Sequence, residues 1–171
     1  MGKEALWSMS TTIREAERII GFLKSAIELN GKEWNKSNQE LFQILLIKNR
    51  QYLDPNNSLS LNKLSSKQIA ILKDIEHKIS LEEATDIFTT KNYEDPPMRG
   101  RQSMSPLKKL GLVYIINNKI SITDVGHKLA SGEISFDEFM LDALLKFQYP
   151  NPEEEGFKNW NTKPFIAALH L

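Results

Sequence analysis

Arg99, Arg101, Lys108, Lys109, Lys119 and Lys128 fall within residues 97–128, where Asp124 is the one acid. The whole chain balances 22 basic against 22 acidic residues, for a formal net charge of zero. Such a chain is not a general polyanion binder, so any nucleic-acid surface must be a local patch. Outside the window the balance is level or acidic. Residues 1–96 hold 13 basic and 14 acidic side chains, and residues 129–171 hold three and seven. The residue types of the window suit duplex DNA. Arg99 and Arg101 can fork onto guanine O6 and N7, and Gln102 can bond adenine bidentately. Ser103 and Ser105 can bond bases or phosphates, while Lys108, Lys109 and Lys119 suit phosphate neutralisation. The plain alternative is a solvated basic face with no ligand.

Catalytic chemistry has little support. His77, His127 and His170 are far apart and lack metal-ligand spacing. Glu76-His77-Lys78 has the form of the Glu-x-Lys element with which metal-dependent nucleases hold a divalent ion and position water. It sits at the end of an expected helix, without a suitable upstream Pro-Asp, and reads as coincidence. Glu153–Glu155 reads as a solvated loop, and no serine has a nucleophile-elbow context. No catalytic residue, metal ligand or cofactor is therefore expected on these residues. The chain has no cysteine, which excludes disulfides and cysteine-ligated zinc and suits a reducing cytoplasm. The N-terminus lacks the apolar core of a signal peptide, and no apolar run approaches the roughly 18 residues of a membrane span. A soluble, cytoplasmic protein is expected.

The elements that must position the basic window are legible from their starts. A capping box sets a Ser or Thr three residues before a Glu or Gln, so that each side chain bonds the other's backbone N–H. The pattern occurs at Thr12/Glu15, Ser37/Glu40, Ser65/Gln68, Ser80/Glu83 and Ser135/Glu138. Helices are expected over about 13–29, stopped by Asn30-Gly31, and over about 38–53, broken at Asp54-Pro55. Two more are expected over about 66–78, burying Ile69, Leu72 and Ile75, and over about 81–90, burying Ala84, Ile87 and Phe88. Asp95-Pro96-Pro97 reads as a turn before a segment from Met98 to Leu110. Pro106 disfavours helix at Ser105, so a helix here is bent or begins near Ser105. Residues 112–116 and 119–123 flank Asn117-Asn118 as a β-hairpin. Leu107, Leu110, Leu112, Tyr114, Ile116, Ile120 and Ile122 are expected in the core. Short helices follow over about 124–130 and 136–147.

The expected fold is mainly α with a small β-hairpin, a winged helix-turn-helix preceded by an N-terminal helical subdomain. In that fold the last helix before the hairpin enters the major groove, and the hairpin lies against backbone or minor groove. Here that helix is the basic segment 99–110 and the wing is 112–123. Domain boundaries are expected at 1–60 for the helical subdomain and 61–147 for the winged helix. Residues 148–171 read as the start of a further, truncated segment, because PFIAALHL opens an apolar helix with no stop signal.

Residues 7–19, WSMSTTIREAERI, resemble the opening of AlwI-type Type IIS restriction endonucleases and the related site-specific nicking endonucleases. Gly31, Trp34 and Gln39 are similar to a second block of that family. Arg99-x-Arg101, Pro106, Gly111 and Ile122-Thr123-x-x-Gly126 are similar to its winged-helix block, and Leu145-x-x-Gln148-Tyr149-Pro150 to the motif after it. The resemblance spans essentially the whole chain. It implies recognition of a short asymmetric double-stranded DNA sequence, in a prokaryotic cytoplasm. It implies cleavage outside that sequence by a separate C-terminal domain that uses Mg2+. Arg99 and Arg101 fall on the family's Arg-x-Arg positions. Ser10, Thr11, Thr12 and Arg14 fall on its N-terminal polar block, which can also face DNA, although Thr12 has an ordinary task as a helix cap. The nuclease domain is expected to lie outside these residues, and a second subunit or that domain is the implied protein partner. A free-standing winged-helix transcriptional regulator is the alternative function, and a winged helix that binds only protein is a third.

Overall fold

The computed structural model describes residues 18–151 and 159–170. Ser10, Thr11, Thr12, Arg14, the Thr12/Glu15 box and Glu153–Glu155 lie outside the described residues. The described elements are α1 Arg18–Ile27, α2 Lys36–Lys48, α3 Ser58–Leu61, α4 Ser66–Lys73, α5 Leu81–Lys91 and α6 Pro96–Lys109. They continue with β1 Val113–Ile116, β2 Lys119–Ile122, α7 Asp124–Ser131, α8 Phe136–Lys146 and α9 Pro164–Leu169. The fold is thus mainly helical with a two-stranded antiparallel hairpin. Among the described residues no helix is long and apolar enough to cross a membrane.

Helix starts follow their caps. Ser65 and Ser80 form complete capping boxes with Gln68 and Glu83, and Ser135 accepts from the Glu138 N–H. Ser37 does not cap. Asn35 takes that place, accepting from the Asn38 N–H at 3.0 Å, while the Asn38 side chain donates to the Glu33 carbonyl at 2.7 Å. Asn caps as well as Ser does, so the earlier residue starts α2. That helix ends at Lys48, short of the expected Leu53, because Arg50 turns the chain left-handed at φ 57. Likewise α4 ends at Lys73, where Asp74 Oδ1 accepts from the Glu76 N–H at 3.1 Å. The expectation that Ile75 is buried therefore fails, since it lies beyond the helix and is 78% exposed. Asp95-Pro96-Pro97 is not a free turn. It starts α6, with Asp95 accepting from the Met98 N–H at 3.0 Å and proline in the first helical positions, where N–H groups have no intrahelical partner anyway. The helix runs from Pro96 through Pro106 without restarting near Ser105.

The hairpin pairs Val113 with Ile122, Tyr114 with Ser121, Ile115 with Ile120 and Ile116 with Lys119. Asn117 (φ 50) and Asn118 (φ 59) are both left-handed, as a two-residue type I′ turn requires. Val113, Ile120 and Ile122 are buried. Tyr114 and Ile116, expected in the core, are 47% and 54% exposed. Side chains alternate along a strand, so these two share the outer face with Lys119. Residues 31–34 run along the outer edge of β2. The Gly31 N–H donates to the Ile120 carbonyl at 2.8 Å, the Ile120 N–H to the Lys32 carbonyl at 2.9 Å, and the Trp34 N–H to the Asn118 carbonyl at 2.7 Å.

Two apolar clusters share α2 as a common wall. One gathers Phe22, Leu23 and Ala26 of α1, Phe42, Leu45 and Leu46 of α2, and Met104 and Leu107 of α6. Leu112, Val113, Ile120, Leu129 and Phe139 complete it, so it draws on both sides of residue 60. The other gathers Ile47 with Leu72, Ile79, Ala84, Ile87 and Phe88. Each fully buried Leu, Ile, Val, Phe or Met side chain among them contributes about 1.5–3 kcal/mol. In this arrangement α6 packs chiefly on α2 and α1, and α3–α5 lie between α2 and α6 in the chain, with α5 packed on α2.

Candidate nucleic-acid interface

The inner face of α6 is fixed by close approach to α2. Gly100 sits on the Gln39 backbone, and a Cβ there would lie 2.6 Å from the Gln39 carbonyl carbon. Ser103 is fully buried and donates to Gln43 Oε1 at 2.9 Å. It therefore belongs to the helix seam and does not reach a surface where DNA would lie. Pro106 and Leu107 are buried on the same face.

The opposite face carries Arg101 and Gln102, which are exposed, with Ser105, Lys108 and Lys109 half-buried along the same stripe. Steps of three and four residues place them on one side of a helix. Arg101 is held from two sides. One guanidinium nitrogen donates to Gln39 Oε1 at 2.9 Å and the other to Asp95 Oδ2 at 3.2 Å. Gln39 in turn donates to the Trp34 carbonyl at 3.0 Å. A polar chain thus links residues 31–34, which flank the hairpin, to the outer face of α6. Gln39 and Asp95 were not singled out as holders of Arg101 by side-chain type. The only sequence signal for Gln39 was its place in the Gly31, Trp34, Gln39 block.

Arg99 goes elsewhere. Two residues along a helix are about 160° apart around its axis, so Arg99 and Arg101 lie on opposite flanks of α6 and do not form a single fork. The Arg99 guanidinium lies over the Tyr93 ring, 5.2 Å from its centroid. Burial, reinforced by Tyr52, pushes the Tyr93 phenol up from its ordinary value, and the Arg99 charge offsets part of that. Lys119 is exposed on the hairpin, its backbone bridged to Glu33. Nearby, Lys109, Gly111, Tyr114, Lys146, Gln148 and Asn151 are among the residues that line a cleft of about 380 Å3. Tyr149 is buried against Phe147 and pairs with Thr162 through backbone bonds of 2.8 and 3.2 Å.

Of the residues weighed for catalysis, His77 has a structural partner. Glu76-His77-Lys78 lies between α4 and α5, off any strand, and His77 Nε2 is 3.0 Å from the Glu83 carboxylate. Among the described residues no three of His, Asp or Glu gather where they could hold a metal ion.

No curated protein and no solved structure matches the chain. A family model does, that of the AlwI restriction endonuclease, over residues 108–171. The matched stretch takes in Lys108, Lys109, the hairpin, α7, α8, Gln148-Tyr149-Pro150 and α9. Residues 7–19, Arg99 and Arg101 precede it. Over residues 108–171, then, the chain is similar to the AlwI restriction endonucleases.

Proposed function

We propose that the chain is the double-stranded DNA recognition part of a Type IIS restriction or nicking endonuclease, built as a winged helix. In this reading α1, α2 and α6 are its three helices, residues 31–34 with β1 and β2 are its wing, and α3–α5 are an insertion between the second and third helices. The observation that carries it is the outer face of α6, where Arg101 is aimed by Gln39 and Asp95 beside Gln102, Ser105, Lys108 and Lys109. An arginine already held in place loses less conformational freedom on meeting a guanine edge. The outer hairpin face, with Tyr114, Ile116 and Lys119, lies against the backbone or minor groove. The parent protein's Mg2+-dependent cleavage domain, or a second subunit, performs the hydrolysis that this head directs.

Selection from a random duplex library at fixed salt tests the reading, and an asymmetric site bound by a monomer is the expected outcome. Arg101→Ala should relax the preference at one position by about 1–3 kcal/mol. Lys109→Ala should weaken all duplexes alike and lower the salt slope by about one. A palindromic site bound by a dimer favours a free-standing regulator instead. Failure to bind any duplex, at any salt concentration, would falsify the DNA reading.

A further inference from the structure

The flank of α6 opposite Arg101 borders a cavity of about 510 Å3. Its walls bring together Arg99 of α6, Arg18 of α1 and Lys91 of α5, from three elements distant in sequence. Among the described residues Asp54 is the single carboxylate on the walls, and its Oδ1 already accepts from the Asn56 N–H at 2.8 Å. Lys91 is 7% exposed, and its ammonium donates to the Ser60 carbonyl at 2.9 Å and to the Asn62 carbonyl at 3.0 Å as well as to the Asn62 side chain. Its donors are engaged by neutral acceptors, so it lends the cavity charge rather than a further bond. Arg18 donates to the Gln51 carbonyl. Arg99 differs from both, because its Nε is buried with no hydrogen-bond partner. A buried guanidinium nitrogen without an acceptor, in a cavity of net positive charge, is complementary to an anion.

We propose that Arg99, with the charges of Arg18 and Lys91, forms a second anion site that takes a phosphate group, separate from the outer face of α6. Contact with the Tyr93 ring, 5.2 Å from its centroid, holds the Arg99 guanidinium at the cavity. The site deepens the DNA reading and rests on it for the source of the phosphate. A helix is about as wide as the major groove, roughly 10–12 Å, so its two flanks meet the two sugar-phosphate walls. Lys108 serves one flank, and Arg99 serves the other.

Inorganic phosphate tests the site without DNA. Thermal unfolding of the full chain is followed against phosphate, with chloride holding ionic strength constant. The expected result is a saturating rise in Tm, roughly 3–6 °C at about tenfold excess over Kd. Phosphate also raises Tm of any protein without saturation, so the comparison is with Arg99→Gln, which should keep only the unsaturating part. Lys73→Ala, at an exposed lysine of α4 outside both faces, should behave as the parent does. Should Arg99→Gln fail to fold, Arg99→Lys and the phosphorus linewidth of inorganic phosphate with the unsubstituted chain provide the same comparison. Equal phosphate responses in the parent and the Arg99 variant, or no saturating response in either, overturn the site. Duplex binding then identifies the source. A salt slope lowered by about one in Arg99→Gln assigns the phosphate to the DNA backbone. An unchanged slope beside a lost phosphate response overturns the backbone assignment and leaves a site for a free phosphate-bearing molecule. Failure of all duplex binding with the phosphate response intact removes the DNA reading and spares the site.

Discussion

Two polar joints hold this molecule to α2, and they end in different places. At the α2–α6 joint, Ser103 meets Gln43 inside the seam, while Gln39 reaches outward to Arg101 at the surface. Past the C-terminal end of α2, Arg50 meets only main chain. Its guanidinium donates to the carbonyls of Leu72 at 2.8 Å, Ile71 at 3.2 Å, Asp74 at 2.6 Å and His77 at 2.7 Å. Those carbonyls lie at and beyond the end of α4, where helix carbonyls lack intrahelical partners and carry the negative end of the dipole. Arg50 therefore acts as a cap, tying α4 to the turn after α2. Arg101 is bonded to two side chains, Gln39 and Asp95, either of which can release it to a ligand. The same residue type caps a helix where its acceptors are backbone carbonyls and stays at the surface where they are a buried amide and a half-exposed carboxylate.

The comparison breaks first at Gly100. Its substitution by Ala gains helix propensity of up to about 1 kcal/mol but drives a Cβ into the Gln39 backbone. A backbone cannot swing aside as a side chain can, so a net loss of roughly 1–3 kcal/mol or more is expected in denaturant unfolding. Gly21→Ala is the control, because the added Cβ meets only the Gln51 side chain, and it should cost clearly less. Equal losses at the two positions would show that the α2–α6 approach is not what demands glycine.

Arg50→Ala should follow, at about 2–4 kcal/mol, because four carbonyls lose a charged donor together. Arg50→Lys should recover little, since an ammonium cannot span the same set of acceptors. Hydrogen exchange should locate the damage in α4 and the residues before α5, with α6 protected as before. Loss of protection across α6 would mean that the two joints are not separable.

Gln39→Ala is the converse. It removes one of the two bonds that hold Arg101, and stability should fall by only about 1 kcal/mol. Duplex preference should weaken in the same direction as in Arg101→Ala but less. A preference unchanged by Gln39→Ala would mean that Asp95 alone aims the arginine.

Much of this was legible along the chain, because caps and turns are local. Ser65, Ser80 and Ser135 start helices as their spacing predicts, and Asn117-Asn118 turns the hairpin. Asp95-Pro96-Pro97 misled because the same three residues suit a turn and a helix start, and only the following hydrogen bonds decide between them. Tyr114 and Ile116 misled because Val-Tyr-Ile-Ile is apolar throughout, which hides the alternation that one covered face imposes. The seam itself was invisible. Gln39 meets Arg101 and Gln43 meets Ser103 across about 60 residues, and helical periodicity states which face is buried but never against what.

The smallest expected effect is the response to acid, and it falls on the two sides of α2 alike. The Glu83 carboxyl sits below its ordinary value, held by the Ser80 backbone N–H and then by His77. The Glu28 carboxyl is also lowered, although its burial works to raise it, because Asn49 and Lys48 bond its charged form and the charges of Lys48 and Lys32 add to them. A lowered folded value means that each contribution is complete above the unfolded value of about 4.5 and fades as pH falls through the folded value. Stability should therefore be flat from neutral pH to about pH 5 as far as these groups decide it, and decline below about pH 4.5. Glu28→Gln should flatten part of that decline, and Glu83→Gln, which keeps a group able to accept from Ser80, should flatten another part. If both variants lose stability with the same acid profile as the parent, the two carboxylates are bystanders. The acid response would then arise among other groups.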